Sequence, residues 1–189
     1  MNRIPIDISK SLKAEKIVTR ELFIEKLINY LFPLVHILIF PSIAIMGMIS
    51  NLIKNESIKL YLFLSVISLI ISGFLIYSVF SVYKFQRIKG LSRGKNSNFI
   101  KKIAKRNKWN ISENNQHISI INFSWRETGT DWGKQITILY DKNEILVNCI
   151  SFVLYSSPSP FHWFANKRKI NKLIKEFEFE IKNVLQQRV

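Results

Sequence analysis

The apolar residues of this chain follow three rhythms. From residue 27 to 53 and from 60 to 83 they are nearly continuous, and neither stretch holds an Asp, Glu, Lys or Arg. These runs are 27 and 24 residues long. At about 1.5 Å of rise per helical residue, each exceeds a hydrocarbon core of about 30 Å. The pattern predicts a transmembrane hairpin over 31–83, with spans at about 31–50 and 60–83. The six-residue connection 54–59 is so short that the two spans must be antiparallel.

The spans carry a few marked positions. Pro41 lies mid-span, frees a backbone carbonyl one turn earlier and predicts a kink; Pro33 lies near the span start. His36 is a polar ring one turn inside the membrane, read either as a pore or helix-contact residue or as a ring that snorkels to headgroups. Ser65, Ser68 and Ser72 recur at i, i+3, i+7 and share one face, with Gly73 beside them. Small residues on one face allow close helix approach, within a chain or between chains. They also offer a polar pore wall. Two helices cannot enclose a water path alone, so any pore requires several subunits.

The second rhythm is a loose helical period before the first span. Leu12, Ile17, Val18, Leu22 and Phe23 alternate with charges, and an amphipathic interfacial or cytoplasmic helix is expected within 1–30, running from about Ser9 to Tyr30 into the span. No apolar segment precedes a small-residue cleavage site there, so no cleaved signal peptide is expected.

The third rhythm belongs to a folded domain. A basic linker, 84–97, contains Gly90, Ser92 and Gly94. From 98 to 189 the expected order is α-β-β-β-α with an antiparallel sheet, a small two-layer cytoplasmic α+β domain. The first helix turns Phe99, Ile100, Ile103 and Ala104 inward, and a polar loop over 110–116 follows. Strands are expected at 117–125, 134–140 and 144–153. The phase slip at Ile120–Ile121 suggests a bulge, and 141–143 a hairpin turn. A long helix over 162–187 places Ile170, Leu173, Ile174, Phe177, Ile181, Val184 and Leu185 on one face.

Charge changes this picture in one respect. The formal net charge is +15 over 189 residues, and residues 84–189 hold 20 Lys/Arg against 8 Asp/Glu. Cations crowd the end of the second span, so the positive-inside rule places both termini in the cytoplasm. The single cysteine, Cys149, precludes an intramolecular disulfide and reads as a small buried core residue.

Catalytic signatures are lacking. The chain has no phosphate-binding glycine loop, no HExxH, no CxxC and no Gly-x-Ser-x-Gly. His36, His117 and His162 cannot share a metal if one lies in the membrane. Glu127 and Asp131 could pair at a sheet end, whereas Glu176, Glu178 and Glu180 are explained by helix-surface ion pairs. No enzyme activity, no cofactor and no metal are expected.

Ligand chemistry has two candidate segments. One contains Arg126, Trp132 and Lys134; the other runs Ser157 to Lys169 and places Lys167 and Arg168 beside Phe161, Trp163 and Phe164. Further along the helix, Lys172 and Lys175 continue a basic stripe with Phe179 in its midst, an aromatic able to stack on a base or on another subunit. A phosphate-bearing ligand fits these segments, and so does an acidic lipid headgroup.

The layout resembles small bacterial anti-phage membrane effectors of the CBASS and Hailong types: two spans, then a compact basic sensing domain. Asp131-Trp132-Gly133-Lys134 and Ser159-Pro160-Phe161-His162-Trp163-Phe164 also look like features of two-span bacterial proteins. The resemblance implies a homo-oligomer of four or more chains in the bacterial inner membrane. It implies a pore under the control of a nucleotide or oligonucleotide, made by a partner enzyme. The other class consistent with the residues is a membrane-anchored basic module that docks a protein or nucleic acid without forming a pore.

Overall fold

The computed structural model describes residues 5–20, 22–128, 133–153 and 157–186. They form two units: a helical hairpin, Leu22–Ser81, and a sheet unit assembled from the described chain on both sides of it.

A short first helix, α1 (Ile8–Ala14), belongs to the sheet unit. The hairpin is built from two long helices, α2 (Phe23–Ile53) and α3 (Lys59–Ser81). Glu25 starts α2 by accepting from the Leu22 N–H at 3.3 Å. The turn between α2 and α3 is closed by Asn51 Nδ2, which donates to the Ser57 carbonyl at 3.1 Å. Both prolines lie inside α2. Its buried face reads Pro33, Ile37, Pro41 and Ala44, spaced three or four apart. One turn on, the Tyr61 ring fills the place that a Cβ on Gly47 would take. On α3 the buried positions include Ser65, Ser72, Ser78 and Val79.

Proline chemistry explains one bond across the hairpin. Pro41 has no N–H, so the Ile37 carbonyl loses its helical donor. Ser72 Oγ supplies the missing donor from α3, at 3.1 Å. The large apolar side chains point the other way: Phe40, Met46, Phe63, Ile70 and Phe80 are each more than half exposed.

In the sheet unit, β1 (Gln86–Lys89) leads to α4 (Arg93–Arg106), β2 (Asn110–Asn114), β3 (Ile118–Phe123), a short α5 (Trp125–Thr128), β4 (Lys134–Asp141) and β5 (Glu144–Ser151). A 3-10 turn, Pro160–His162, opens α6 (Trp163–Gln186). The sheet is antiparallel with order β1-β5-β4-β3-β2. The three expected strands are its centre. Two further strands, β1 and β2, come from the segments read as linker and polar loop. They are edge strands, and the exposed polar side chains of Gln86, Arg87 and Asn110 suit an edge that faces water.

The expected bulge within β3 lies instead on its neighbour. The register shifts between Ile111 and Glu113, opposite Ile121 and Ile120. Ile120 and Ile121 are both buried because the sheet is covered on both faces. On one face α4 and α6 pack Phe99, Ile100, Ile103, Leu173 and Phe177 against Ile121, Ile136, Ile138, Tyr140 and Val147. On the other, Ile6, Ile8, Leu12 and Phe85 cover Ile118, Ile120, Leu139 and Leu146. The two-layer expectation is therefore corrected to three layers.

That third layer comes from the first residues of the described chain. Asp7 caps α1, accepting from the Lys10 N–H at 3.1 Å and the Ser9 hydroxyl at 2.9 Å, and these bonds hold its carboxyl below the usual range. Glu15, at φ 50°, ends the helix. The β-branched run Ile17-Val18-Thr19 then continues with isolated bridges, Lys16 opposite Lys84 and Thr19 opposite Ile6. A continuous helix from Ser9 to Tyr30 is thus not formed. Asn148 Nδ2 fixes the return of the chain by donating to the carbonyls of Val82 and Lys84, each at 2.8 Å.

Candidate functional site

Cations and aromatic rings meet where α6 crosses the ends of β2, β3 and β4. Lys108, at φ 57°, turns the chain after α4 and presents Trp109 ahead of β2. Trp109 meets Phe123, the last residue of β3, edge to face with centroids 5.6 Å apart. From α6, Lys169 places its ammonium 4.3 Å from the Phe123 ring centre and 4.8 Å from Trp109. Lys172, one turn on, lies 5.6 Å from Trp109. These are cation–π distances. Burial lowers the Lys169 pKa from the ordinary lysine value; the charges of Lys172 and Lys134 lower it further, while Cys149 and Glu127 act in the opposite sense.

Lys134 begins β4, opposite Phe123 on one side and Ser151 on the other, and is buried. Above Ser151 sits Asn166, only 4% exposed. Its Oδ1 accepts from the Ser151 hydroxyl at 2.7 Å and from the Cys149 thiol at 3.7 Å, and its Nδ2 makes no hydrogen bond. Cys149 is buried and forms no disulfide.

The structure therefore sorts the expected ligand residues into groups. Lys134 and Lys172 join Lys169 at the aromatic flank. Arg126 is exposed on α5, 5.5 Å from the Trp125 ring. Lys167 is exposed over Trp163 at 5.1 Å, and Arg168 is exposed next to it. Lys175 and Phe179 lie further along α6, both exposed. Trp132 and Asp131 lie outside the described residues, so the expected Glu127–Asp131 pair has no described geometry. Glu127 itself accepts from the N–H and hydroxyl of Ser124, at 2.5 and 3.0 Å, and closes the turn into α5.

The basic stripe is not free of acids. Arg106 from α4 bridges Glu176 at 2.8 Å and Glu180 at 3.1 Å, and Lys172 lies 3.9 Å from Glu176. The stripe's lower half is thus partly neutralised, while its upper half leans on aromatics. Leu185, expected on the packed face, is half exposed.

Within the hairpin, Ser72 and Ser65 are buried, and Ser68 donates to the Ser65 carbonyl at 3.0 Å. His36 is exposed, and its Nδ1 lies 2.7 Å from the Phe32 carbonyl, to which it can donate.

The histidines offer no cluster: no group of three His, Cys, Asp or Glu able to hold a metal occurs among the described residues. A serine–histidine contact exists, Ser159 Oγ to His162 Nδ1 at 2.7 Å, but Ser159 is wholly buried and the contact spans a single 3-10 turn. It clasps the start of α6 rather than presenting a nucleophile.

Sequence reasoning missed Trp109 and Asn166 and did not single out Lys169. The legible signal was an aromatic directly after an amphipathic helix, and Lys169 with Lys172 at i, i+3 on the border of the α6 apolar face. No family model, no curated protein and no solved structure matches this chain.

Proposed function

We propose that this chain is a subunit of an oligomeric channel or pore-forming effector of the bacterial inner membrane. In this reading it acts in anti-phage defence, and a nucleotide or oligonucleotide bound to the basic sheet unit controls it. The observation that carries the membrane part is the outward apolar surface of the hairpin. Of an 18-residue apolar stretch within Leu27–Ile53 only 11% is buried, and of one within Lys59–Ser81 only 22%, whereas the core helix of a soluble protein is mostly buried. Such a surface needs lipid or further subunits to cover it.

Topology supports one side for both flanks of the hairpin. The segments before α2 and after α3 belong to the same unit, tied by the Ile17 N–H to the Tyr83 carbonyl at 2.8 Å. A hairpin leaving and re-entering that unit keeps both flanks on one side, and the excess of cations makes that side cytoplasmic. The ligand part rests on Lys169 and Lys172 beside Trp109, with Lys134 opposite Phe123 in the register. An anion between these ammoniums would relieve their mutual repulsion, and the aromatic face suits a base. The ligand gates by its differential affinity for closed and open states.

Native mass spectrometry of the full-length chain in detergent tests the reading. A discrete oligomer of four or more chains, with nucleotide-sized mass retained, is the expected result. A monomer without bound mass, together with proteoliposomes that hold an ion gradient, overturns it.

A second reading has its own observation. Ser65 and Ser72 are buried inside the hairpin, so they do not line a water path while it is intact. This favours a hairpin that only anchors the sheet unit, which then docks a protein or nucleic acid. Replacing residues 22–81 by an unrelated two-span anchor separates the two: a docking module keeps its activity and a channel loses it.

A further inference from the structure

The sheet unit has two unlike ends. At one, the β4–β5 turn gathers acids: Arg87 pairs with Glu15, Asp141 and Glu144. The other is defined by the register row Phe123–Lys134–Ser151. Three exposed aromatics stand there: Trp125 directly after β3, and Phe161 and Phe164 at the start of α6, exposed by 63, 64 and 61%. Among the described residues of the sheet unit, the other exposed large hydrophobics are Phe179 and Leu185, on the far half of α6. Three exposed cations accompany the aromatics: Arg126, Lys167 and Arg168.

This aromatic and basic end is also where the chain returns from α3. Val82 clusters with Ile150 and Phe152, at the end of β5. The residue that follows the second apolar helix is thus fixed beside the same sheet end as Ser151.

We propose that this end of the sheet unit is a membrane-interface face. Trp125, Phe161 and Phe164 enter the headgroup layer of an anionic leaflet, and Arg126, Lys167 and Arg168 meet lipid phosphates. Aromatic rings concentrate at that depth, and the negative potential of an anionic surface attracts lysine and arginine beside it. The proposal rests on the reading of α2 and α3 as membrane spans. It does not depend on a pore or a nucleotide. It separates the cations by role, giving the first three to lipid and leaving Lys134, Lys169 and Lys172 for a soluble anion.

The test uses the full-length chain in vesicles of phosphatidylglycerol and phosphatidylcholine, with bromine on the acyl chains near the glycerol. Trp109, Trp132 and Trp163 are replaced by Phe, so that Trp125 alone emits. Flotation with the vesicles and resistance to alkaline extraction report the spans independently. The expected result is flotation together with at least twofold quenching of Trp125, lost in R126E/K167E/R168E while flotation persists. Flotation with Trp125 unquenched and red-shifted overturns the face and leaves the spans standing. Flotation with Trp125 blue-shifted but unquenched assigns the face to a second copy of the chain and also overturns it. Failure to float removes both. A Phe164→Cys chain in a Cys149→Ser background, carrying a polarity-sensitive dye, gives the same readout with every tryptophan intact.

Discussion

The two units bury different mixtures of residue. In the sheet unit the inside is chiefly Ile100, Ile136, Ile138, Leu173, Phe177 and their neighbours, and Lys134 is its buried cation among the described residues. In the hairpin Pro33, Pro41, Ser65 and Ser72 share the inside with Ile37, Ala44 and Val79, and Phe40, Phe63, Ile70 and Phe80 face outward. One chain therefore carries two folding rules. The sheet unit is held by removal of apolar surface from water, which acts on any large hydrophobe. In the proposed membrane setting that force would not distinguish inside from outside, and the hairpin would rely on close approach and backbone hydrogen bonding. The bond from Ser72 to the carbonyl freed by Pro41 belongs to the second rule only.

Substitutions can break this contrast. The largest expected effect is in the sheet core: Phe177→Ala should cost about 3–5 kcal/mol of sheet-unit stability. Denaturant unfolding followed by near-ultraviolet dichroism measures it, and a loss below about 1 kcal/mol would mean that the α6 contact is not part of the core. Next comes a charge on the hairpin's outward face. Ile70→Lys, midway along α3, should disfavour insertion by about 2.5–3.5 kcal/mol. Its readout is the fraction resistant to alkaline extraction, and an unchanged fraction would indicate that Ile70 does not meet lipid.

Smaller effects sharpen the comparison. Ser72→Ala should weaken the hairpin by about 1 kcal/mol, and Pro41→Ala should make that change nearly silent, because alanine, unlike proline, has an N–H to return to the Ile37 carbonyl. Thermal melting of the four chains in detergent gives the cycle; an unaltered Ser72 effect in the Pro41→Ala chain would contradict the proline account. Least in size is a titration. Burial pushes the Tyr140 phenol up to about 12, opposed by its bonds to the Ser119 and Ser97 hydroxyls. Its folded pKa is raised above the unfolded value of about 10, so its contribution to stability is complete below about pH 10 and lost as pH rises through about 12. Ultraviolet difference spectra should show a phenol ionising near pH 12, and Tyr140→Phe should remove that step.

Legibility followed physical strength. The two long apolar helices, the three central strands and the long last helix were readable because sustained apolar patterns leave few alternatives. The edge strands were not, since a few half-polar residues carry no clear period. Gly90, read as a linker residue, is required by tertiary packing: Asn96 Oδ1 lies 2.7 Å from where its Cβ would be, and the Asn96 amide clasps both backbone groups of Leu91. The fate of residues 5–20 depended on a partner surface far along the chain, at Ile118, Leu139 and Leu146, which no local pattern announces. For the site, the cations were visible as a set, but their division among exposed, aromatic-backed and acid-paired surroundings required the register of β3, β4 and β5. The serine stripe was visible too. Its partner, the carbonyl released by Pro41, became identifiable only when both helices were in place.

The account turns on whether the hairpin crosses a bilayer with both flanks on one side. In a Cys149→Ser chain expressed in a bacterial host, single cysteines replacing Asn55, in the α2–α3 turn, and Lys142, in the β4–β5 turn, can be challenged with a membrane-impermeant maleimide. The account predicts that Asn55→Cys is labelled in spheroplasts and Lys142→Cys only after lysis. Labelling of both before lysis, or of neither, would contradict it.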